Sequence, residues 1–292
     1  MTGLKQQKRR GWKKMVLIGI LSLIALIVIW FLIPYSPLKT QFRKDIRTLQ
    51  KETVYKKDDL FTKEEFSGLP VALQKYVEAC GYIGKPKMNW VCMTYEDVDF
   101  KQGKDGPSLK IDYTQYDFVS APCRMAFIDS SMFGVPFEGY DSYLDGKGGM
   151  KGVVGKVVKI FNETGPQMDQ ACLVTYLAEC LFSPSSLLTE YITWEEIDAY
   201  HVKAVITYGG QTASGTFAFN EQYEFVSFTT EDRSATNSDG VIEHIPWTAS
   251  CDRYQVAENG ISYPTTFSAT WHYPDGDFTY FDGEISSVTY DQ

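Results

Sequence analysis

Glu179 is the first candidate for chemistry, because it lies in an otherwise apolar stretch of the chain. Tyr176 and Cys172 precede it at spacings that place all three side chains along one side of a helix. A carboxylate in apolar surroundings needs a partner or takes a raised pKa. Three interpretations stay open: a structural ion pair, a side of the helix that meets water, and a polar group lining a cavity between the helix and a sheet.

A second carboxylate near Glu179 would suggest a hydrolase. Asp169 and Asp282 are the candidates. Asp169 also suits the first turn of a helix, where the helix dipole favours negative charge. Paired carboxylates that hydrolyse glycosides stand roughly 5–9 Å apart in a cleft, so this hypothesis requires the fold to bring the two groups together.

Other catalytic or metal-binding motifs are missing from the sequence. The glycine-rich residues 146–156 have the wrong spacing for a phosphate loop, and Val157 stands where a serine or threonine would bind magnesium. These residues instead predict the tip of a hairpin. No CxxC pair or HExxH motif occurs, and the histidines are far apart in the sequence. We expect neither a metal nor a cofactor.

The cysteines are expected to be free and buried. Cys172 and Cys180 are eight positions apart in one predicted helix, which separates them by about 12 Å along its axis. That distance is too long for a disulfide bond. Disulfides among the remaining cysteines stay open if the domain is extracellular.

The segment that carries Glu179 predicts a central helix over residues 168–182. Gly165 and Pro166 open it and Pro184 closes it. On a helical wheel its apolar residues cover more than half of the circumference and almost no charged face remains. Such a helix is expected to be buried nearly all round.

Most of the chain that flanks this helix alternates in polarity as strands do. About five strands are predicted before the helix, among them one over residues 150–161, and six after it, with glycine-rich turns between them. The predicted fold class is α+β, mainly β: a curved antiparallel half-barrel sheet wrapped around the central helix, preceded by a transmembrane helix. Polar and aromatic candidates for lining a cavity between helix and sheet are Tyr76, Cys172, Tyr176, Glu179, Trp194, Trp247 and Trp271.

Residues 15–33 contain no charged side chain. As a helix they would span about 28 Å, close to the thickness of a hydrocarbon core. A cleaved signal peptide is the alternative, but the run is longer than a usual signal core and no clear cleavage site follows it. We therefore predict a single-pass anchor in the plasma membrane. The basic residues before it favour a cytoplasmic N-terminus and an outward-facing domain.

The charge of the chain divides at about residue 57. Residues 1–57 carry 13 Lys/Arg and 2 Asp/Glu, whereas residues 58–292 carry 15 Lys/Arg and 35 Asp/Glu. The acidic part argues against binding to nucleic acid, which requires clustered cations. The predicted organisation is a basic cytoplasmic tail over residues 1–14, the transmembrane helix over 15–33, a charged stalk over 34–65 and the β domain over 66–292.

Several short motifs resemble an uncharacterised bacterial family, a domain of unknown function that is often carried behind a membrane span. The motifs are Leu69-Pro70 with Tyr76 and Gly84-Lys85-Pro86, Gly165-Pro166 with Asp169-Gln170, Tyr176-Leu177-Ala178-Glu179, Tyr191-Ile192-Thr193-Trp194, and Pro274-Asp275-Gly276 with Tyr280-Phe281-Asp282-Gly283-Glu284. The resemblance spans residues 66–290 and implies no activity. Thr175 replaces the arginine associated with that helix position. The implied shape is similar to the lipoprotein-carrier fold, a half-barrel closed by helices over an apolar cavity.

Three functions follow as hypotheses. The first is a membrane-anchored, outward-facing domain that binds an apolar or lipid-like ligand between helix and sheet. The second is a hydrolase that uses Glu179 with a second carboxylate. The third is a structural or signalling ectodomain without a ligand. The sequence identifies no protein partner beyond the membrane.

Overall fold

The computed structural model describes residues 2–101, 103–104, 106–236 and 242–291. The helices are α1 (Thr2–Leu32), α2 (Pro37–Leu49), α3 (Lys63–Phe66), α4 (Val71–Ala79) and α5 (Pro166–Glu179), and 3-10 turns follow at Cys180–Phe182 and Pro184–Leu188. The strands are β1 (Trp90–Lys101), β2 (Ser108–Phe118), β3 (Cys123–Met132), β4 (Val135–Leu144), β5 (Lys147–Val154), β6 (Val158–Thr164), β7 (Ile192–Glu196), β8 (His201–Tyr208), β9 (Gln211–Phe219), β10 (Phe225–Thr230), β11 (Ser234–Thr236), β12 (Ile242–His244), β13 (Trp247–Val256), β14 (Ser262–Tyr273) and β15 (Gly276–Tyr290).

Thirteen of these strands, counted over the described residues, form one antiparallel sheet. Their order is β6-β5-β4-β3-β2-β1-β15-β14-β13-β10-β9-β8-β7, and β11 and β12 form a separate ribbon. We call β1–β6 the first wing, and β7–β10 with β13–β15 the second wing. The two wings join where β1 pairs with β15. The predicted fold class, an antiparallel sheet around one helix, is confirmed.

The sheet curves until its wings meet across α5. The helix contacts β5 in the first wing and β9 in the second. The β4–β5 and β8–β9 turns touch each other, because a Cβ atom placed on Gly146 would lie only 2.6 Å from the Cα atom of Gly209. Both glycines have positive φ angles, of 74° and 59°. Side-chain-free residues therefore allow the two wings to close over the helix.

The central helix begins and ends where the sequence indicates. Gly165 precedes it with φ of 114°, and Pro166 occupies its first turn. Leu173, Leu177 and Ala178 are completely buried. The prediction that this segment is enclosed by the sheet is confirmed, although its last turn, Cys180–Phe182, is a 3-10 helix.

Two details of the strand prediction are corrected. Residues 150–161 form two strands, because the chain reverses at Gly155 and Lys156, whose φ angles are 61° and 68°. The second detail is β7 (Ile192–Glu196), which forms the edge of the second wing although the predicted strands after the helix begin only at residue 201. Both differences arise at short edge strands, where few apolar residues alternate.

Residues 34–65 do not form a separate charged stalk. Leu38, Phe42, Ile46 and Leu49 of α2 are buried, and they pack on the outer face of β3 and β4. Their spacing of three to four residues places them on one side of the helix. The charged residues of α2 occupy the other side, so α2 is an amphipathic helix that belongs to the folded domain.

The apolar helix α1 ends against the same domain. Four residues, 33–36, separate it from α2. The Nζ atom of Lys156, in the β5–β6 turn, donates hydrogen bonds to the carbonyl oxygens of Trp30, Phe31 and Ile33 at 3.3, 2.9 and 2.6 Å. The Trp30 indole donates to the carbonyl oxygen of Gly155 at 3.0 Å. A lysine therefore satisfies the carbonyl groups that the end of a helix leaves free.

Candidate functional site

A cavity of about 210 Å³ lies between α5 and the concave face of the sheet. Its walls are mainly aromatic and aliphatic, with contributions from both wings. The apolar lining includes Phe100, Ile128, Met150, Trp247, Phe267 and Phe281. On the helix side the lining consists of Met168, Ala171, Cys172, Thr175 and Glu179. The spacing of three to four residues explains why these five side chains share one side of α5.

Arg124 forms the polar floor of this cavity. Its side chain is 4% exposed. Nε donates to Oε2 of Glu179 at 2.7 Å, and Nη1 donates to Oδ2 of Asp141 at 2.6 Å. Nη2 donates to Oε1 of Gln115 at 3.0 Å and to the hydroxyl group of Tyr113. The guanidinium therefore links the helix to β2 and β4.

The alternation of the strands brings these polar groups inward. In β2, Tyr113, Gln115 and Asp117 follow the buried residues Leu109 and Ile111 at intervals of two, so all five side chains point to one face of the sheet. Arg124 lies directly opposite Asp117 in the antiparallel pairing of β3 with β2. This signal is present in the sequence, but none of the polar residues of the floor except Glu179 was predicted.

Asp117 completes the network as its least well paired carboxyl group. Its Oδ2 atom accepts a hydrogen bond from Nε2 of Gln115 at 2.8 Å. Its Oδ1 atom is buried without a hydrogen-bond partner and lies 4.0 Å from Nε of Arg124. Burial raises the pKa of Asp117 well above its ordinary value, and the charge of nearby Glu179 raises it further. Both effects favour the neutral, protonated form of Asp117, which reduces the excess of negative charge around Arg124.

Arg233 lies at the more exposed side of the cavity. Its Nη1 atom donates a hydrogen bond to Oγ1 of Thr175 at 2.6 Å. Its guanidinium carbon lies 4.7 Å from the ring centre of Trp247 and 5.7 Å from that of Trp271. These distances are typical of a cation stacked on aromatic faces. A basic group thus contacts the helix at Thr175, although it comes from the segment after β10.

The model of a family of unknown function, DUF6544, matches residues 59–283. The chain belongs to this family. No similar sequence is found among curated proteins.

Two crystal structures resemble the DUF6544 chain at low sequence identity. One is a domain assigned as an outer membrane lipoprotein-sorting protein from Vibrio parahaemolyticus, with 10% identity and a TM-score of 0.41 over 76% of this chain and 92% of that chain. The other is a DUF1329 family protein from Desulfovibrio piger, with 11% identity and a TM-score of 0.41 over 79% of this chain and 93% of that chain.

The DUF6544 fold brings three of the predicted lining residues together. Cys172, Glu179 and Trp247 line the cavity. Trp271 lies behind them, where its ring packs 6.4 Å from that of Tyr280. Cys172 and Glu179 on α5 and Trp247 on β13 thus meet at one cavity, although their spacing in the sequence does not predict that they meet.

The other three predicted lining residues lie elsewhere in the core. Tyr76 donates to the carbonyl oxygen of Leu181 at 2.9 Å, and Tyr176 donates to that of Phe118 at 2.9 Å. Trp194 packs on Phe217 with ring centres 5.7 Å apart. Buried tyrosine hydroxyl groups need such partners. Tyr176 therefore ties α5 to β2, whereas Tyr76 ties α4 to the 3-10 turn that follows α5.

The DUF6544 fold does not pair Glu179 with either carboxylate proposed for hydrolysis. Asp169 lies near the opposite end of α5, about 15 Å along the helix axis, where it accepts a hydrogen bond from the backbone nitrogen of Gly148 at 2.8 Å. Asp282 is exposed, on the other face of the strand from Phe281, which lines the cavity. Within the described residues, no cluster of His, Cys, Asp and Glu is arranged to hold a metal ion.

The described cysteines of the DUF6544 chain are all free and buried, as predicted. Burial raises the pKa of the Cys172 thiol above its ordinary value, although Arg124 and Arg233 oppose that effect. The thiol is therefore protonated and unreactive at neutral pH. Cys172 is a small wall residue of the cavity, and its Sγ atom donates a weak hydrogen bond to Oδ1 of Asp141 at 3.7 Å.

Proposed function

We propose that this chain is a membrane-anchored domain that holds an apolar, lipid-like chain between α5 and the sheet. The observation that carries the proposal is the cavity itself: apolar walls from both wings surround it, and Arg233 is stacked on tryptophan at its more exposed side. An apolar chain would contact the walls, and an anionic or polar head group would lie near Arg233 and Thr175.

The size of the cavity limits what it holds. At about 210 Å³ it is smaller than the roughly 300–1,000 Å³ of pockets that enclose drug-sized ligands. It therefore fits part of one acyl chain rather than a complete phospholipid. The polar floor does not require a ligand, because the guanidinium of Arg124 already has carboxylate and amide partners.

The contacts of Lys156 support retention of α1 as an anchor. The helix is long and apolar enough to cross a membrane, and its apolar window is unburied. A signal peptide is removed from the mature protein, yet the end of this helix is bound by the β5–β6 turn of the domain. The basic residues before the span favour an inside N-terminus, and this orientation supports the proposal that the domain lies outside the plasma membrane.

Native mass spectrometry of the full chain tests the proposal. Protein purified in detergent is incubated with a bacterial lipid extract and compared with Ala171→Trp, which places a large ring in the cavity. Gln167→Trp is the matched control, because residue 167 is exposed on the same helix and does not line the cavity.

We expect one bound lipid-like molecule in the wild type and in Gln167→Trp, and its loss in Ala171→Trp. A wild type without any adduct would favour a structural or signalling ectodomain. An adduct that Ala171→Trp retains would place the lipid outside the cavity. Either result would contradict the proposal.

A further inference from the structure

Exposed apolar side chains cluster at one end of the sheet. We call this end, which carries the β3–β4 turn (residues 132–135) and the β5–β6 turn (residues 155–157), the anchor end. The two turns are neighbours, because the backbone nitrogen of Gly155 donates to the carbonyl oxygen of Pro136 at 2.8 Å. Phe133 is 99% exposed, and Val157 and Val158 are 64% and 59% exposed.

The end of the apolar helix fixes the position of these turns. Lys156 and Gly155 bind the last residues of α1, and only residues 33–36 separate α1 from the docked helix α2. Tryptophan at the end of a membrane span lies at the level of the lipid head groups. The indole of Trp30 contacts Gly155 directly, so the β5–β6 turn lies at the same level when α1 spans the bilayer.

We propose that the anchor end of the sheet rests on the bilayer, with Phe133, Val157 and Val158 inserted into the interface of the adjoining leaflet. This inference rests on the proposed anchor role of α1. Exposed apolar side chains on hairpin tips are unfavourable in water, and an interface that removes them from water is favourable. We choose the bilayer as the partner because α1, the proposed membrane span, ends in contact with the β5–β6 turn.

Two residues that line the cavity, Phe100 and Trp247, lie toward this same end. Phe100 pairs with Leu109 near the β1–β2 connection, and Ile111 pairs with Ser130 close to the β3–β4 turn. The partly exposed lining residue Phe100 therefore lies toward the anchor end. Trp247, the first residue of β13, lies toward it as well. A lipid chain that leaves the leaflet reaches the cavity without crossing the length of the domain.

Site-specific labelling of the full chain in lipid nanodiscs tests the inference. Because the described native cysteines are buried, a polarity-sensitive fluorophore can be attached to Phe133→Cys or Val157→Cys. Val256→Cys is the matched control, since Val256 is 71% exposed at the end of β13, about 30 Å along the strand from Trp247. Leu23→Cys, in the middle of the apolar helix, reports insertion of the anchor.

We expect blue-shifted emission and several-fold slower iodide quenching at positions 23, 133 and 157, and free quenching at 256. If position 23 is shielded while 133 and 157 quench as fast as 256, the inference fails and the anchor stands. If position 23 is also quenched freely, the anchor and the inference both fail. If shielding at 133 and 157 disappears in nanodiscs that hold a single chain, a second copy covers these turns and the inference is wrong.

Discussion

The Nε atom of Arg124, in β3, lies 2.7 Å from Oε2 of Glu179, the last residue of α5. The side chains of both residues are at most 5% exposed. The pair ties the central helix to the first wing at the floor of the cavity. Glu179 is therefore a structural ion-pair partner. By binding the guanidinium of Arg124, it also fixes that group at the floor of the cavity.

Removal of Arg124 is expected to destabilise the domain strongly. Arg124→Met would leave the buried carboxylate of Glu179 and the partly buried carboxylate of Asp141 without their cation, which costs about 3–5 kcal/mol of unfolding free energy. Denaturant unfolding of the full chain in detergent, followed by tryptophan fluorescence, measures this loss. Arg253→Met is the control, because Arg253 pairs with Glu284 at the exposed surface, where a pair contributes less than about 1 kcal/mol. Equal losses in the two variants would contradict the account.

The stability of the domain is expected to fall as pH rises from about 4, because of Asp117. The unfolded carboxyl group ionises near its ordinary pKa of about 3.9, whereas burial raises the pKa of Asp117 in the folded chain. Between those two values the folded state retains a proton that the unfolded state has lost. Each pH unit in this window then lowers the unfolding free energy by up to about 1.4 kcal/mol, and the loss is complete above the folded pKa.

Asp117→Asn tests that pH dependence, because asparagine does not ionise. Its unfolding free energy, measured at several pH values from 4 to 8, should decline less steeply than that of the wild type. Asp112→Asn, an exposed position on the same strand, should follow the wild-type slope. Parallel curves for Asp117→Asn and the wild type would show that Asp117 is ionised in the folded protein.

The contact between the wings predicts different costs for two similar glycine substitutions. Gly146 and Gly134 both occupy hairpin turns with φ of 74° and 79°, so alanine costs about 1–2 kcal/mol at either position for backbone conformation. Only at Gly146 would the new Cβ atom strike another turn, which adds about 1–3 kcal/mol. Unfolding free energies of the two variants compare the costs. The same loss in both would mean that the wings do not meet at Gly209.

Lys156 is expected to hold the end of α1 on the domain. Lys156→Ala removes the hydrogen bonds to the carbonyl oxygens of Phe31 and Ile33, so backbone amides of residues 33–40 should exchange hydrogen faster. Lys159→Ala, an exposed lysine on β6, is the control and should leave the exchange unchanged. Hydrogen exchange with mass spectrometry measures both variants. Unchanged exchange in Lys156→Ala would argue that this contact does not order the connection.

The sheet and its central helix could be predicted because their patterns are local. Alternation of period two and the uninterrupted apolar surface of residues 168–182 each specify an element and its burial. The docking of α2 was missed although Leu38, Phe42, Ile46 and Leu49 form an apolar stripe. The many charges of this segment favour a solvated stalk, whereas its apolar stripe is the feature that decides its location.

The sequence predicts a cavity between the helix and the sheet, but it predicts only some of the residues that line it. Gln115 and Asp117 continue the buried phase of β2 after Ile111, and this continuation indicates a polar group in the core. Arg124, by contrast, meets Glu179 across 55 residues of sequence. Arg233 reaches Thr175 from the connection after β10. Such long-range contacts depend on the order of the strands and the curvature of the sheet, which cannot be predicted from spacing in the sequence.

Quenching of Trp247 by a brominated fatty acid tests the central claim most directly. Trp247 lines the cavity and is 1% exposed, so dibromostearic acid bound there would contact its indole ring. We expect titration of the detergent-solubilised chain to show a saturable component near one equivalent. That component should vanish in Trp247→Phe and persist in Trp194→Phe, whose ring lies outside the cavity. A wild type without saturable quenching, or saturable quenching that survives in Trp247→Phe, would contradict an acyl-chain site between helix and sheet.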